Sequence, residues 1–346
     1  MPDVALETLF WPFVDGRLEW PSDGALFLRA RDGSPLRQQP WPGLVCEQTF
    51  KPDADALKRA GFDVLAPQED PPQTRTYPLV VILPPRQRDE ARALLTRAID
   101  AAKQGGKVMA CMANNEGARS GEADLARLAG PVEVVSKNKC RVFWTAPLDR
   151  AADSQLAAQW RELDAVRPIE DGRFMSRPGV FAWNRIDAAS ALLASQLPPD
   201  LAGEAADLGA GFGYLSVELL THCPGITRVD LFEAEARALD LARRNLAPFA
   251  QRAALGFHWH DVTSGLPRKY DVIVTNPPFH AQRGVDRPDI GRRFITVAAE
   301  ALKPGGRLWL VANRHLPYEA VLTHAFGHVR TVTQQRGFKI VEAVRR

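Results

Sequence analysis

Two stretches of this chain are versions of one phrase. Tyr77-Pro-Leu-Val-Val-Ile-Leu-Pro84-Pro85 and Tyr270-Asp-Val-Ile-Val-Thr-Asn276-Pro277-Pro278 each start at a tyrosine, run through β-branched residues and reach a Pro-Pro pair seven residues later. A helix-compatible stretch follows in each, Glu90 to Lys103 and Arg292 to Lys303, then Gly-Gly (Gly105-Gly106, Gly305-Gly306) and an apolar run ending in Ala-Asn (Ala113-Asn114, Ala312-Asn313). The offsets are 193 residues at Pro-Pro, 200 at Gly-Gly and 199 at Ala-Asn, a consistency expected of a tandem duplication. With 346 residues the chain also exceeds what one core usually holds. Two α/β domains are therefore expected, residues 1–163 and 164–346, joined near 150–178. Apolar strands alternate with helical periods, which predicts a mostly parallel sheet with helices on both faces. Ala206–Gly209, Ile226–Phe232, Val272–Thr275 and Arg307–Ala312 read as strands, and Ile186–Gln196 reads as a helix that stops before Pro198-Pro199.

Composition excludes several classes. A hydrophobic fraction of 45% with 25% charged residues is that of an ordinary globular protein. No basic segment followed by an apolar run opens the chain and no long apolar stretch appears, so a cytoplasmic protein is expected, without membrane contact. Cys46, Cys111, Cys140 and Cys223 are scattered without CxxC spacing; buried reduced thiols are expected, and no metal. Net charge is +3, but it is unevenly placed: residues 1–165 carry 21 Lys+Arg against 23 Asp+Glu, and the remainder 23 against 18. The second half's basic bias permits a phosphate-bearing partner without requiring one.

Asp207-Leu-Gly209-Ala-Gly211-Phe-Gly213 follows a short apolar run and opens a helix-compatible stretch. Glycines at alternate positions let the backbone turn sharply and approach a ligand. Dinucleotide dehydrogenases use a similar device, but the spacing here is GxGxG instead of GxGxxG, and an acid stands two positions before the first glycine. Glu233 ends the next strand, where a carboxylate can accept from both ribose hydroxyls of a nucleoside cofactor. Asp261 follows a further strand-like segment and can accept from an adenine amino group. The order of these groups is similar to that of class I S-adenosylmethionine methyltransferases. By that resemblance Gly209, Gly211 and Gly213 face the methionine and ribose, Glu233 the ribose and Asp261 the adenine, with Asp207 and Asn276 bordering the same cofactor.

Asn276-Pro277-Pro278-Phe279 stands at a strand's carboxyl end and suits methylation of a planar amine. The Asn276 side-chain oxygen and the Pro277 carbonyl can each accept one amine hydrogen, which aims the nitrogen lone pair at the methyl group. Phe279 offers a face for stacking. Asn-Pro-Pro is also an ordinary strand breaker, and the same tetrad occurs by resemblance in enzymes methylating DNA adenine, protein glutamine and rRNA guanine amines.

Further segments narrow the resemblance. Pro178-Gly179-Val-Phe181 with Asp187, Asn276-Pro-Pro-Phe-His280, Val311-Ala-Asn313-Arg-His-Leu-Pro317-Tyr318 and Phe326-Gly to Gly337-Phe-Lys339 look like the bacterial tandem-domain rRNA guanine-N2 methyltransferases. In the first half, Leu83-Pro-Pro, Gly105-Gly106, Asn114 and Ser136-Lys-Asn-Lys-Cys140-Arg-Val-Phe143 extend the match. The resemblance implies two Rossmann-like methyltransferase domains, the first degenerate and serving RNA docking or support, and only the second catalytic. It implies S-adenosylmethionine as cofactor and a guanine of 16S rRNA as substrate, with 23S rRNA as the alternative. Ala188-Ala189 depart from the Gly-Ser often found after the aspartate in the small-subunit type, and Asn313-Arg-His-Leu is similar to the large-subunit type. Pro278, Phe279, His280, Arg283, Arg287, Arg292 and Arg293 form the candidate RNA-contacting set, the arginines by pairing with phosphates. A glutamine-amide methyltransferase and a non-catalytic cofactor-binding assembly factor remain alternatives, and a monomer is the default.

Overall fold

The computed structural model describes residues 3–65, 76–149, 154–278 and 288–346. Two compact units emerge: residues up to Val166 together with Arg177–Gly179, and Arg167–Ser176 together with Val180–Arg346.

The first unit holds strands β1 (Ala25–Leu28), β2 (Leu44–Glu47), β3 (Asp63–Leu65), β4 (Tyr77–Ile82), β5 (Ala102–Ala113), β6 (Val132–Lys137) and β7 (Cys140–Thr145). Its helices are α1 (Val4–Val14), α2 (Ser34–Arg37), α3 (Lys51–Arg59), α4 (Arg88–Ala101), α5 (Ala118–Ala129) and α6 (Ser154–Arg161). The strands order as β3-β2-β1-β4-β5-β7-β6, parallel except that β7 opposes both neighbours.

The second unit begins with an antiparallel pair, β8 (Arg167–Ile169) and β9 (Phe174–Ser176). Its main sheet contains β10 (Ala202–Leu208), β11 (Gly225–Glu233), β12 (Ala254–Trp259), β13 (Tyr270–Thr275), β14 (Leu302–Asn313), β15 (His328–Gln335) and β16 (Phe338–Val344). The helices are α7 (Ala188–Ala194), α8 (Tyr214–His222), α9 (Ala236–Leu246), α10 (Pro288–Ala301) and α11 (Glu319–Ala325). The order, β12-β11-β10-β13-β14-β16-β15, repeats that of the first sheet. The strand sequence runs outward from β10 and then resumes at β13 on its other side, so the carboxyl ends of β10 and β13 flank a topological switch point where α/β sheets collect ligands.

The duplication read from the sequence extends to irregularities. In each sheet the pairing skips: Tyr77 faces Ala102 and Leu79 faces Lys107, while Tyr270 faces Leu302 and Val272 faces Arg307. The Gly-Gly pairs make this excursion, with φ of 74° at Gly105 and 76° at Gly305, a left-handed conformation that side chains resist. A β-carbon on the following glycine would stand 2.8 Å from the Lys103 carbonyl oxygen in one copy and 2.9 Å from that of Lys303 in the other. Both faces of the second sheet are covered; Leu208, Ile273, Leu308 and Leu310 pack with Phe294, Ile295 and Ala298 of α10 in one continuous core. Burying each large aliphatic there contributes roughly 1.5–3 kcal/mol.

Candidate active site at the carboxyl edge of the second sheet

The glycine loop leaves β10 in the left-handed region, with φ of 71°, 55° and 89° at Gly209, Gly211 and Gly213. The amides of Gly209 and Ala210 donate to the Phe232 carbonyl at 2.9 and 3.2 Å, tying the loop to β11. The three glycines answer different needs. A β-carbon at Gly213, the N-cap of α8, would lie 2.6 Å from Leu246 Cδ1; one at Gly209 would lie 3.4 Å from Phe294; one at Gly211 would meet open space. Gly213 thus serves helix packing, and Gly211 leaves room for a ligand.

Three acidic groups surround the loop. Asp207 is fully buried; its Oδ2 accepts from Ser216 Oγ at 2.7 Å and its Oδ1 has no hydrogen-bond partner among the described residues. Burial, opposed by the Ser216 bond and reinforced by the nearby Glu233 charge, pushes its pKa up to about 7. Glu233, at the end of β11, accepts the Gly211 amide at 2.7 Å on one oxygen and the Glu235 amide at 2.8 Å on the other. Burial also raises its pKa, against those two bonds. Each Glu233 oxygen retains a lone pair for a ribose hydroxyl. Asp261 caps a short 3-10 turn, accepting both the amide and the hydroxyl of Thr263 at 2.9 and 2.7 Å.

Asn276 follows β13, one position beyond Thr275, whose hydroxyl donates to the Leu208 carbonyl at 2.7 Å and clamps β13 to β10. The Asn276 Nδ2 donates to Asp187 Oδ2 at 3.0 Å and to Ser190 Oγ at 2.8 Å. A carboxylate can only accept, so the amide nitrogen must face Asp187 and the oxygen must face away. That oxygen is buried and has no hydrogen-bond partner among the described residues. Asp187 is the N-cap of α7, its Oδ2 also accepting the Ser190 amide at 2.9 Å. Asn276, Asp187 and Ser190 line one cavity with Gly209, Gly211 and Phe181. A wider hollow of about 280 Å³, lined by Asp200, Asp271, Pro304 and Arg307, lies at the opposite edge of the sheet, away from these groups.

The sequence-predicted residues therefore fall into four groups. Asp207, Gly209, Gly211, Glu233, Asp261 and Asn276 stand around the switch point on the carboxyl ends of β10, β11, β12 and β13, with Gly213 supporting them. Pro277 is buried and Pro278 exposed. Phe279, His280, Arg283 and Arg287 lie outside the described residues. Arg292 is exposed on α10, whereas Arg293 donates to the Thr263 carbonyl at 2.9 Å and pairs with Glu300 at 3.5 Å. Arg293 therefore braces the turn that carries Asp261. Sequence reasoning did not find Ser190, Ser216 or Asn245. Asn245 binds the Phe212 carbonyl at 2.8 Å and both backbone groups of Met175, fastening the glycine loop to β9. A serine three residues after an aspartate is a helix-cap spacing, which is the only signal Ser190 gives.

A family model for the methyltransferase small domain matches residues 171–342. The ribosomal RNA small subunit methyltransferase C of Salmonella newport (strain SL254) is 30% identical over 260 residues, covering 75% of this chain and 73% of the relative. The chain belongs to this methyltransferase family. The Salmonella typhimurium (strain LT2) member matches with the same identity and coverage. Among solved structures, the 16S rRNA N2 G1207 methyltransferase of T. thermophilus, in complex with AdoMet and guanosine, is 25% identical, covers 99% of this chain and 92% of its own, and superposes with a TM-score of 0.80. Membership of the family thus covers both sheets, with the small-domain match falling on the one that holds Asn276.

Proposed function

We propose that this chain methylates the exocyclic N2 amine of a guanine in 16S rRNA, with S-adenosylmethionine as methyl donor. The observation that carries this reading is the Asn276 amide oxygen: buried, without a hydrogen-bond partner among the described residues, and beside a glycine loop with open space at Gly211. Leaving a buried amide oxygen unsatisfied costs about 1–3 kcal/mol, a cost recovered when an amine hydrogen arrives.

The residues present fit the cofactor. Glu233 retains acceptors for ribose hydroxyls, Asp261 stands one strand further for the adenine amine, and the unpartnered Asp207 oxygen suits a cationic methionine end. When bound, the cofactor supplies an electrophilic methyl group. Asn276 Oδ1 and the Pro277 carbonyl would each accept one hydrogen of the guanine amine, leaving its nitrogen lone pair free to take the methyl group. As the N–C bond forms the sulfonium S–CH₃ bond would break, leaving a neutral thioether, so the positive charge would pass to the nitrogen, where the two oxygens would stabilise it before a proton leaves to water. No strong base is required beforehand, so positioning and fixed electrostatics lower the barrier. The base must leave a stack to reach Asn276, and an exposed Phe181 at the cavity mouth gives an unstacked base a partner. Arg292, with Arg283 and Arg287, would meet neighbouring phosphates; residues 1–163 serve as a non-catalytic support or RNA-docking domain. The reading needs no metal and no second copy of the chain.

The test is transfer of labelled methyl from the cofactor to separated ribosomal subunits that lack the modification, followed by nucleoside analysis. Label should appear as N2-methylguanosine in small-subunit RNA. Asn276→Ala should bind cofactor normally and lose at least a hundredfold in turnover, about 2.7 kcal/mol of barrier. Label in 23S rRNA alone would move the substrate to the large subunit. Label only in a protein glutamine would replace the reading altogether.

A further inference from the structure

The two sheets of this molecule allow a comparison within one chain. Their registers align Leu28 with Leu208 and Ile82 with Thr275, since Leu28 faces Ile82 in the first sheet and Leu208 faces Thr275 in the second. Leu83 then stands where Asn276 stands. The helix before each sheet begins alike: α1 is capped by Asp3, whose Oδ1 accepts the Leu6 amide at 3.2 Å, and α7 by Asp187, whose Oδ2 accepts the Ser190 amide at 2.9 Å. The capping aspartate is thus present in both copies. The two groups that complete the polar cluster are not: Leu6 replaces Ser190 and Leu83 replaces Asn276, both buried in the first unit's core. The freed carboxylate of Asp3 pairs instead with Arg31 at 3.0 Å.

Helix capping therefore explains an aspartate in each copy, but it does not explain why serine and asparagine occur together only where the catalytic edge is. We propose that Asp187 and Ser190 are positioning residues for methyl transfer. They consume both hydrogens of the Asn276 amide, so only its oxygen is presented to the substrate amine, and the Asp187 charge makes that oxygen a stronger acceptor. The chemistry is that of a polarised hydrogen-bond chain: a carboxylate accepting from an amide N–H increases the negative charge on the amide oxygen. The effect is greatest as positive charge develops on the attacking nitrogen, so it acts on the transition state more than on binding. Without these anchors the amide is free to turn its NH₂ toward the substrate amine, donor against donor.

This inference rests on the reading of Asn276 above, and two measurements keep them apart. Asp187→Ser preserves an N-cap but is too short to reach Asn276; Ser190→Ala removes the second anchor, and Asp187→Asn keeps the shape and removes the charge. On small subunits, Asp187→Ser should lower kcat 10- to 100-fold, with KM for RNA and cofactor affinity within twofold of wild type. Asp187→Asn should recover part of that loss, and the Asp187→Ser/Ser190→Ala pair should lose no more than Asn276→Ala does. Independently of any substrate, asparagine-selective ¹⁵N labelling reports the Asn276 side-chain amide, identified by its absence in Asn276→Ala. Its hydrogens should exchange slowly in wild type and quickly in Asp187→Ser. An unchanged kcat in Asp187→Ser, or a loss confined to cofactor affinity, would overturn the proposal, as would an amide that exchanges quickly in wild type. A slow-exchanging amide in a protein that labels no RNA would refute the substrate and leave the lock standing.

Discussion

The Asp207 carboxyl at the end of β10 is enclosed, with one oxygen that has no partner among the described residues, and burial is what raises its pKa to about 7 from the ordinary 3.8. A group whose proton affinity rises on folding stabilises the fold most when it is protonated. That contribution is complete below about pH 4 and is lost as pH rises through 7. The cofactor-free protein should therefore melt at lower temperature at pH 8 than at pH 6, and Asp207→Asn should flatten that dependence. The cofactor carries a sulfonium, an ammonium and a carboxylate, a net positive charge that favours the ionised form of Asp207. Its uptake at pH 7 should release a fraction of a proton, and its affinity should rise with pH up to about 7, by at most roughly tenfold per unit. Calorimetric titration in two buffers of different ionisation enthalpy measures that proton directly. Identical heats in both buffers would remove Asp207 from the cofactor site.

Elements announced by local chemistry were legible in the sequence, and those defined by distant partners were not. The β-branched run ending in Asn-Pro-Pro marked β13, and alternate glycines marked the turn out of β10, because strand preference and backbone freedom are properties of a few adjacent residues. The helix read at Ile186–Gln196 is real but shorter, Ala188–Ala194, since Asp187 and Ser195 take the cap positions. The exchange of β15 and β16 in strand order has no periodic signature. Ser190 meets Asn276 across 86 residues and Asn245 meets Met175 across 70, so neither partnership could be read from spacing. Helix α10 likewise depends on a distant partner. By propensity alone, Gly291→Ala should stabilise its helix by about 1 kcal/mol. A β-carbon there, however, collides with the Tyr318 hydroxyl, which is itself buried without a hydrogen-bond partner among the described residues. Gly291→Ala should therefore lower stability by about 1–3 kcal/mol, and adding Tyr318→Phe should restore much of it. Denaturant unfolding of the wild type and the two variants decides; a stabilised single variant would mean that α10 shifts freely.

At the scale of the whole molecule, one fold is present twice, and the residues proposed to hold the cofactor stand in one copy only. Leu28 to Gly33 and Leu208 to Gly213 correspond without a gap, so Arg29 and Arg31 occupy the places of Gly209 and Gly211, and Phe27 that of the buried Asp207. Gln48 occupies the place of Glu233, where it donates to the Ala30 carbonyl at 2.6 Å and accepts the Phe50 amide at 2.9 Å. Arg29 retains the left-handed backbone, φ 54°, of the glycine it replaces, and its side chain pairs with buried Glu90 at 3.1 Å. In the first copy the corresponding positions thus make internal contacts or are apolar. Two consequences can be measured together. Cofactor should saturate at one molecule per chain, and hydrogen exchange should slow around residues 209–213, 233 and 276 while residues 29–33 and 48 stay unchanged. Restoring the missing asparagine by Leu83→Asn should create no second site, because the Ser190 equivalent is Leu6 and the Asp3 carboxylate is held by Arg31. It should instead bury an unpartnered amide and destabilise the first unit by about 1–3 kcal/mol. A second bound cofactor in wild type, or one gained by Leu83→Asn at no cost in stability, would show that the first copy has kept a working cleft.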